Sequence, residues 1–112
     1  MHGFMKKRRD YLRLSRGGKR FFFEGFVAQV QPAESGLGLI GITVTKKLGG
    51  SVLRHRAKRR LRETIRLWNQ HHTLPFSYDV VLVARSKIFE INFTQLQAQW
   101  DELLQQLNKT RI

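Results

Sequence analysis

Apolar positions along the chain switch between a helical period and a strand period, and the switches predict six elements in the order α-β-β-α-β-α. Residues 5 to 16 place Tyr11, Leu14 and Ser15 on one side of a short helix, with Gly17-Gly18 suited to end it. The aromatic and β-branched run from Phe21 to Val30 reads as a first strand with a bulge at Gly25, ending at Gln31-Pro32. Turn residues from Ala33 to Gly38 then return the chain as a second strand, Leu39 to Thr45, most simply an antiparallel hairpin with the first.

Gly49-Gly50-Ser51 interrupts the strand pattern, and Ser51 is placed to cap a helix running to about Asn69. On that helix Leu53, Ala57, Leu61, Thr64, Ile65 and Trp68 share one face, while His55, Lys58, Arg59, Arg62 and Arg66 share the opposite one. His71 to Pro75 reads as a loop. Tyr78 to Arg85 is apolar on both alternations, which predicts a central strand covered on two sides. Asn92 with Gln95 three residues later forms a capping-box pattern, Ile91 and Leu96 can staple it, and Phe93, Leu96, Trp100, Leu103, Leu104 and Leu107 make a stripe. The fold class expected is α+β, a small α/β sandwich with helices packed on a central sheet, and the 112 residues form one domain, 1 to 112.

Charge changes the picture from fold to function. Nine of the 21 Lys and Arg residues lie between Lys46 and Arg66, where Glu63 is the one acid. Eight more lie between Lys6 and Arg20 against Asp10 alone, and residues 67 to 84 have none. A net charge of +13 zoned in this way is an electrostatic footprint for a polyanion rather than a solubility device. With 41% hydrophobic residues, the cations decorate a folded scaffold and not a disordered tail. Cysteine is absent, so disulfides and thiolate zinc sites are excluded, in keeping with the cytosol. No apolar run is long enough for membrane spanning, and no apolar signal segment precedes Lys6.

Arginine dominates the basic helix, and its forked donors and flat face suit folded RNA. Salt-lacing of that face would require acids that are not there. Lys46 and Lys47 stand just before the glycines and the helix N-terminus, where a phosphate is favoured. Tyr11, Phe22 and Phe26 are candidate rings for stacking unpaired bases. The eight carboxylates are scattered, and His71-His72 has no companion at ligand spacing, so neither catalytic nor metal-binding residues are assigned.

The segment from Lys46 to Glu63 resembles the signature of the bacterial ribonuclease P protein subunit, Lys-Lys-x-Gly-Asn-Ala-Val-x-Arg-Asn-Arg-x-Lys-Arg. Supporting matches lie at Asp10-Tyr11 with Gly18, at Gly41 to Val44 and at Asp79 to Arg85, so the likeness covers about residues 6 to 107. The resemblance implies a sandwich with a left-handed β-α-β crossover and a helper role in a cytoplasmic ribonucleoprotein. There a catalytic RNA removes the 5′ leader of precursor tRNA with Mg²⁺ held mainly by the RNA, and no further protein partner is implied. It assigns Arg54, Arg56, Lys58, Arg59 and Arg62 to contact with the RNA subunit, Lys46 and Lys47 to phosphate contacts, and Tyr11 and Phe26 to a leader cleft, while the reading of the residues themselves adds His55 and Arg66 to the RNA contacts and Arg13 and Phe22 to the cleft. Gly50 and His55 stand where the signature has Asn, and Ser15 and Gln29 where many relatives carry aromatic rings. Two rival expectations stand beside it: a general RNA-binding protein such as a ribosomal component, which needs the same cations but no leader cleft, and a protein-only metal nuclease, which would rely on Glu63 or Asp79.

Overall fold

Val80, Leu82 and Ala84 point to one side of their strand and Val81 and Val83 to the other, and both sides are covered. This is the physical origin of the architecture: a strand apolar on both alternations needs a layer on each face. The computed structural model describes residues 3 to 34, 38 to 71 and 78 to 109. The elements are β1 (Gly3–Phe4), α1 (Arg8–Gly17), β2 (Lys19–Phe22), β3 (Phe26–Pro32), β4 (Leu39–Thr43), α2 (Ser51–His71), β5 (Tyr78–Ala84) and α3 (Phe93–Lys109). Short 3-10 turns at Lys46–Leu48 and Ser86–Phe89 lead out of the two central strands.

The five strands form one mixed sheet in the order β1-β4-β5-β3-β2. One face carries α2 and α3 over the main core, in which Phe26, Val30, Leu61, Leu82, Leu96 and Trp100 are all buried. Each such side chain contributes about 2 kcal/mol of burial. Among the described residues the other face carries α1, over a smaller cluster of Met5, Leu14 and Val81. The α+β sandwich expected from the sequence is therefore present, and β4 and β5 are parallel neighbours joined through α2.

Three details of the expected strand plan are corrected. The run from Phe21 to Val30 is two strands: the chain reverses at Phe23-Glu24-Gly25, and β2 and β3 pair antiparallel with Phe22 opposite Val27. Gly25 is buried at this reversal, where an added Cβ would meet Leu96 at 2.8 Å and Ile91 at 2.9 Å. It makes room for α3 rather than a bulge. The second expected strand does not form a hairpin with the first. β4 pairs parallel with β5 and β1, while β3 lies antiparallel to β5 on its other side. Strand β5 gains more by sitting centrally, because its two apolar faces are then both buried.

Helix α1 starts at Arg8 rather than residue 5, Gly18 N–H closing onto Leu14 C=O, and Ser15 is exposed rather than packed. Helix α2 reaches His71, which places His71 in the helix instead of the loop, and residues 72 to 75 of that loop lie outside the described residues. Its first hydrogen bond runs from Arg54 N–H to Gly50 C=O, so Gly50 and not Ser51 is the cap. The cap of α3 is as expected: Asn92 N–H donates to Gln95 Oε1 at 2.9 Å and Gln95 N–H to Asn92 Oδ1 at 2.8 Å.

Candidate nucleic-acid interface

Helix α2 rises about 30 Å over its length and lays Ala57, Leu61, Thr64 and Ile65 on the sheet. The 100° step then fixes where the cations go. His55, Arg56, Arg59, Arg62 and Arg66 are exposed, while Arg54 and Lys58 are half-buried on the flank. Lys46 and Lys47, in the 3-10 turn ahead of the helix, are exposed as well. Gly49 holds φ at 140° and lets the chain turn from these lysines into α2. The stripe is thus continuous from Lys46 to Arg62.

Whether these charges are available depends on where the acids are, and all eight acidic residues lie among the described ones. Glu34 and Asp79 pair with Arg13, Glu24 lies 3.8 Å from Lys87, and Glu63 takes Arg66 in a bidentate pair within α2. Among the described residues that last pair is the one ion pair on the helix. Hydrogen bonding from Arg66 holds the Glu63 carboxyl below the usual carboxylate range and raises Arg66 in turn. Arg66, expected to contact RNA, is therefore internally neutralised. Arg54, Arg56, Lys58, Arg59 and Arg62 have no such partner among the described residues.

Sequence pattern alone missed Arg60. It sits between two of the free cations but turns inward, donating through Nη1 to Ile88 C=O and through Nη2 to Ile91 C=O at 2.7 Å. One hundred degrees from Arg59, it meets the turn leading to α3 and stitches α2 to it. Its offset from the stripe was the available signal. Near the helix start, Val44, Ser51, Arg54, His55 and Lys58 line a depression of about 220 Å³. The Arg54 Nε there is buried with no hydrogen-bond partner among the described residues.

The four residues expected in a leader cleft separate. Tyr11 lies over β4, half-buried, with its hydroxyl donating to Met5 C=O at 3.1 Å. Its ring occupies the space a side chain at Gly41 would need, since a Cβ there would come within 2.7 Å of Tyr11 Cε1. Phe22 is 69% exposed on edge strand β2. Phe26 is 0% exposed and packs with Phe23 at 5.1 Å in the main core, so it is removed from the cleft. The reversal at residues 23 to 25 is the cause, because it breaks the alternation that would have kept Phe22 and Phe26 on one face.

Arg13 is likewise structural. Its Nη2 pairs with Asp79 Oδ2, its Nη1 donates to Gln31 Oε1 at 2.7 Å, and its Nε lies 3.1 Å from Glu34 Oε1 outside hydrogen-bond alignment. The other Asp79 oxygen accepts from Leu39 N–H at 2.9 Å, so this carboxylate ties α1, β4 and β5 together. Among the described residues no three His, Asp or Glu side chains converge as a metal-binding group. No described helix is long and apolar enough to cross a membrane.

Comparison with known proteins gives one consistent result. The family model described as Ribonuclease P matches residues 2 to 108. The ribonuclease P protein component of Caldanaerobacter subterraneus subsp. tengcongensis is 38% identical over 100 residues, spanning 89% of this chain and 84% of the relative. That of Desulfatibacillum aliphaticivorans is 35% identical over 105 residues, spanning 94% and 87%. Among solved structures, the RNase P protein of Thermotoga maritima superposes with TM-score 0.74 at 27% identity, covering 97% of this chain and 98% of that one. The Staphylococcus aureus RNase P protein gives 0.72 at 28% identity, covering 90% and 91%.

Proposed function

This chain belongs to the ribonuclease P protein family, and from that premise we propose that it binds the catalytic RNA of ribonuclease P through the α2 stripe and the 5′ leader of precursor tRNA through the face carrying α1. The observation that carries the proposal is the row of Lys46, Lys47, Arg54, Arg56, Lys58, Arg59 and Arg62, which forms no ion pair among the described residues. Protein components are what the relatives are, and tRNA processing by the ribonuclease P holoenzyme is the activity this membership brings.

On this reading the RNA partner supplies the catalysis and holds the Mg²⁺, which chemically activates water and stabilises the leaving oxygen in phosphodiester hydrolysis. The protein's own residues bind and position. Arg56, Arg59 and Arg62 project from successive turns and grip RNA phosphates with forked donors. His55, in the Asn position of the signature, donates to a phosphate or stacks from the same face. Tyr11, seated on Gly41, offers its outer ring face to the first leader bases as they leave the tRNA. The complex works in the cytoplasm, as a single domain of protein on a larger RNA.

Reconstitution tests the proposal. Adding the protein to a bacterial ribonuclease P RNA at low Mg²⁺ is expected to raise precursor-tRNA binding and cleavage. No increase in either would overturn it.

A further inference from the structure

Asp10 is a buried acid with nothing to hold. With Leu14 it is one of the two residues that α1 turns onto the sheet, and it is 7% exposed. Its carboxylate has no hydrogen-bond or ion-pair partner among the described residues. A buried charge is costly unless donors meet it, so an idle one marks a place where donors arrive from outside. Asp10 lines a cavity of about 320 Å³ at the N-terminal end of α1, where β4 and β5 begin.

Two more carboxylates on the cavity wall are already engaged. Asp79 pairs with Arg13 and accepts from Leu39 N–H at 2.9 Å, and Glu34 lies 3.1 Å from Arg13 Nε. Lys6, Lys7 and Arg9 also line the cavity, all exposed and without ion pairs among the described residues. Phe4, 43% exposed, adds an open ring.

These groups select a ligand by elimination. A carboxylate only accepts, so the group set against Asp10 must carry N–H donors. The three cations call for an anion on the same molecule, since they repel a plain amine and Asp10 repels a plain anion. The volume is that of a small organic ligand, and the ring suits a flat one. A nucleoside phosphate meets all of these demands. Of the RNA bases, guanine sets two donors side by side, N1–H and the 2-amino group, to match both oxygens of one carboxylate, whereas adenine sets an acceptor beside its amino group.

We propose that this cavity binds a free guanine nucleotide, its base edge on Asp10, its ring against Phe4 and its phosphates on Lys6, Lys7 and Arg9. It is a small-molecule site, apart from the α2 stripe and from Tyr11, whose ring lies over Gly41.

Isothermal titration calorimetry on the full chain, without RNA, tests it with GDP, ADP and inosine diphosphate. GDP is expected to bind about tenfold more tightly than ADP, and inosine diphosphate, which lacks the 2-amino donor, to lose most of that advantage. Asp10→Asn should bring GDP and ADP within about twofold of each other. Its thermal midpoint should hold, because the carboxylate has no partner in the fold. Lys6→Ala/Lys7→Ala should weaken both nucleotides and leave their ratio unchanged. Equal affinities of the wild type for GDP and ADP would overturn the site, as would a guanine preference that survives Asp10→Asn. Binding of 5′-phosphorylated RNA oligonucleotides without binding of free GDP would overturn it too. The comparison of nucleotides needs neither a variant nor ribonuclease P RNA, so it fails or succeeds independently of the reconstitution assay.

Discussion

Arg59 and Arg60 are neighbours of the same chemistry, and their substitutions should have opposite consequences. Arg60→Ala removes two charge-assisted hydrogen bonds to the carbonyls of Ile88 and Ile91, residues that are themselves buried, and leaves both acceptors short of a partner. Such bonds are worth about 1.5 to 3 kcal/mol each when a charged group donates, and partial exposure of Arg60 discounts the pair to about 3 kcal/mol in total. For a domain of this size that lowers the thermal midpoint by about 10 °C. Arg60→Lys should recover little, because one ammonium cannot span two carbonyls as the fork does. Arg59 is exposed and makes no hydrogen bond or ion pair among the described residues, so Arg59→Ala should stay within about 0.5 kcal/mol of the wild-type stability. It should instead flatten the salt slope of RNA binding by about 0.7 to 0.9, the contribution of one phosphate contact. Circular dichroism melts and salt-dependent binding on the two variants settle the matter. If Arg60→Ala flattened the slope and left the melt unchanged, the division of α2 into a stitched residue and a free stripe would be wrong.

Other outcomes follow from the same geometry. Gly41→Ala should push Tyr11 off β4 and weaken precursor tRNA with a leader more than mature tRNA, measured as the ratio of the two affinities, while an equal loss on both would count against a leader role for Tyr11. Asp79→Asn should destabilise the fold by about 3 kcal/mol in chemical denaturation, since it strips Arg13 of its buried partner. Glu63, whose folded carboxyl is depressed, contributes stability that is present above the usual carboxylate range and lost as pH falls through its lower folded value. Its titration followed by NMR should move up to the ordinary range in Arg66→Ala. Glu63→Gln should release Arg66 and steepen the RNA salt slope by up to about 0.9.

What was legible in the sequence depended on whether local rules decided the matter. The α3 cap followed from Asn92 and Gln95, and the buried side of α2 from Ala57, Leu61 and Ile65, because capping and helical period act within a few residues. The double burial of β5 followed from its unbroken apolar run. Strand pairing was not legible, since β4 lies beside β5 rather than β3 for reasons of sheet assembly across the whole chain. The fate of Phe26 turned on a reversal that Gly25 permits and α3 demands. Charge counting placed the stripe yet could not tell Arg60 or Arg13 from their neighbours, because their partners, Ile88, Ile91, Gln31 and Asp79, are distant in sequence.

The account stands most directly on the electrostatics of α2, and one measurement reaches it: the dependence of affinity for ribonuclease P RNA on salt, for the wild type and for Arg56→Ala/Arg59→Ala/Arg62→Ala. About five phosphate contacts give a wild-type slope of log affinity against log salt of roughly −4, and removing three should bring it to roughly −1.5. A triple variant that binds with the wild-type slope would contradict the account, because the contacts would then lie elsewhere on the molecule.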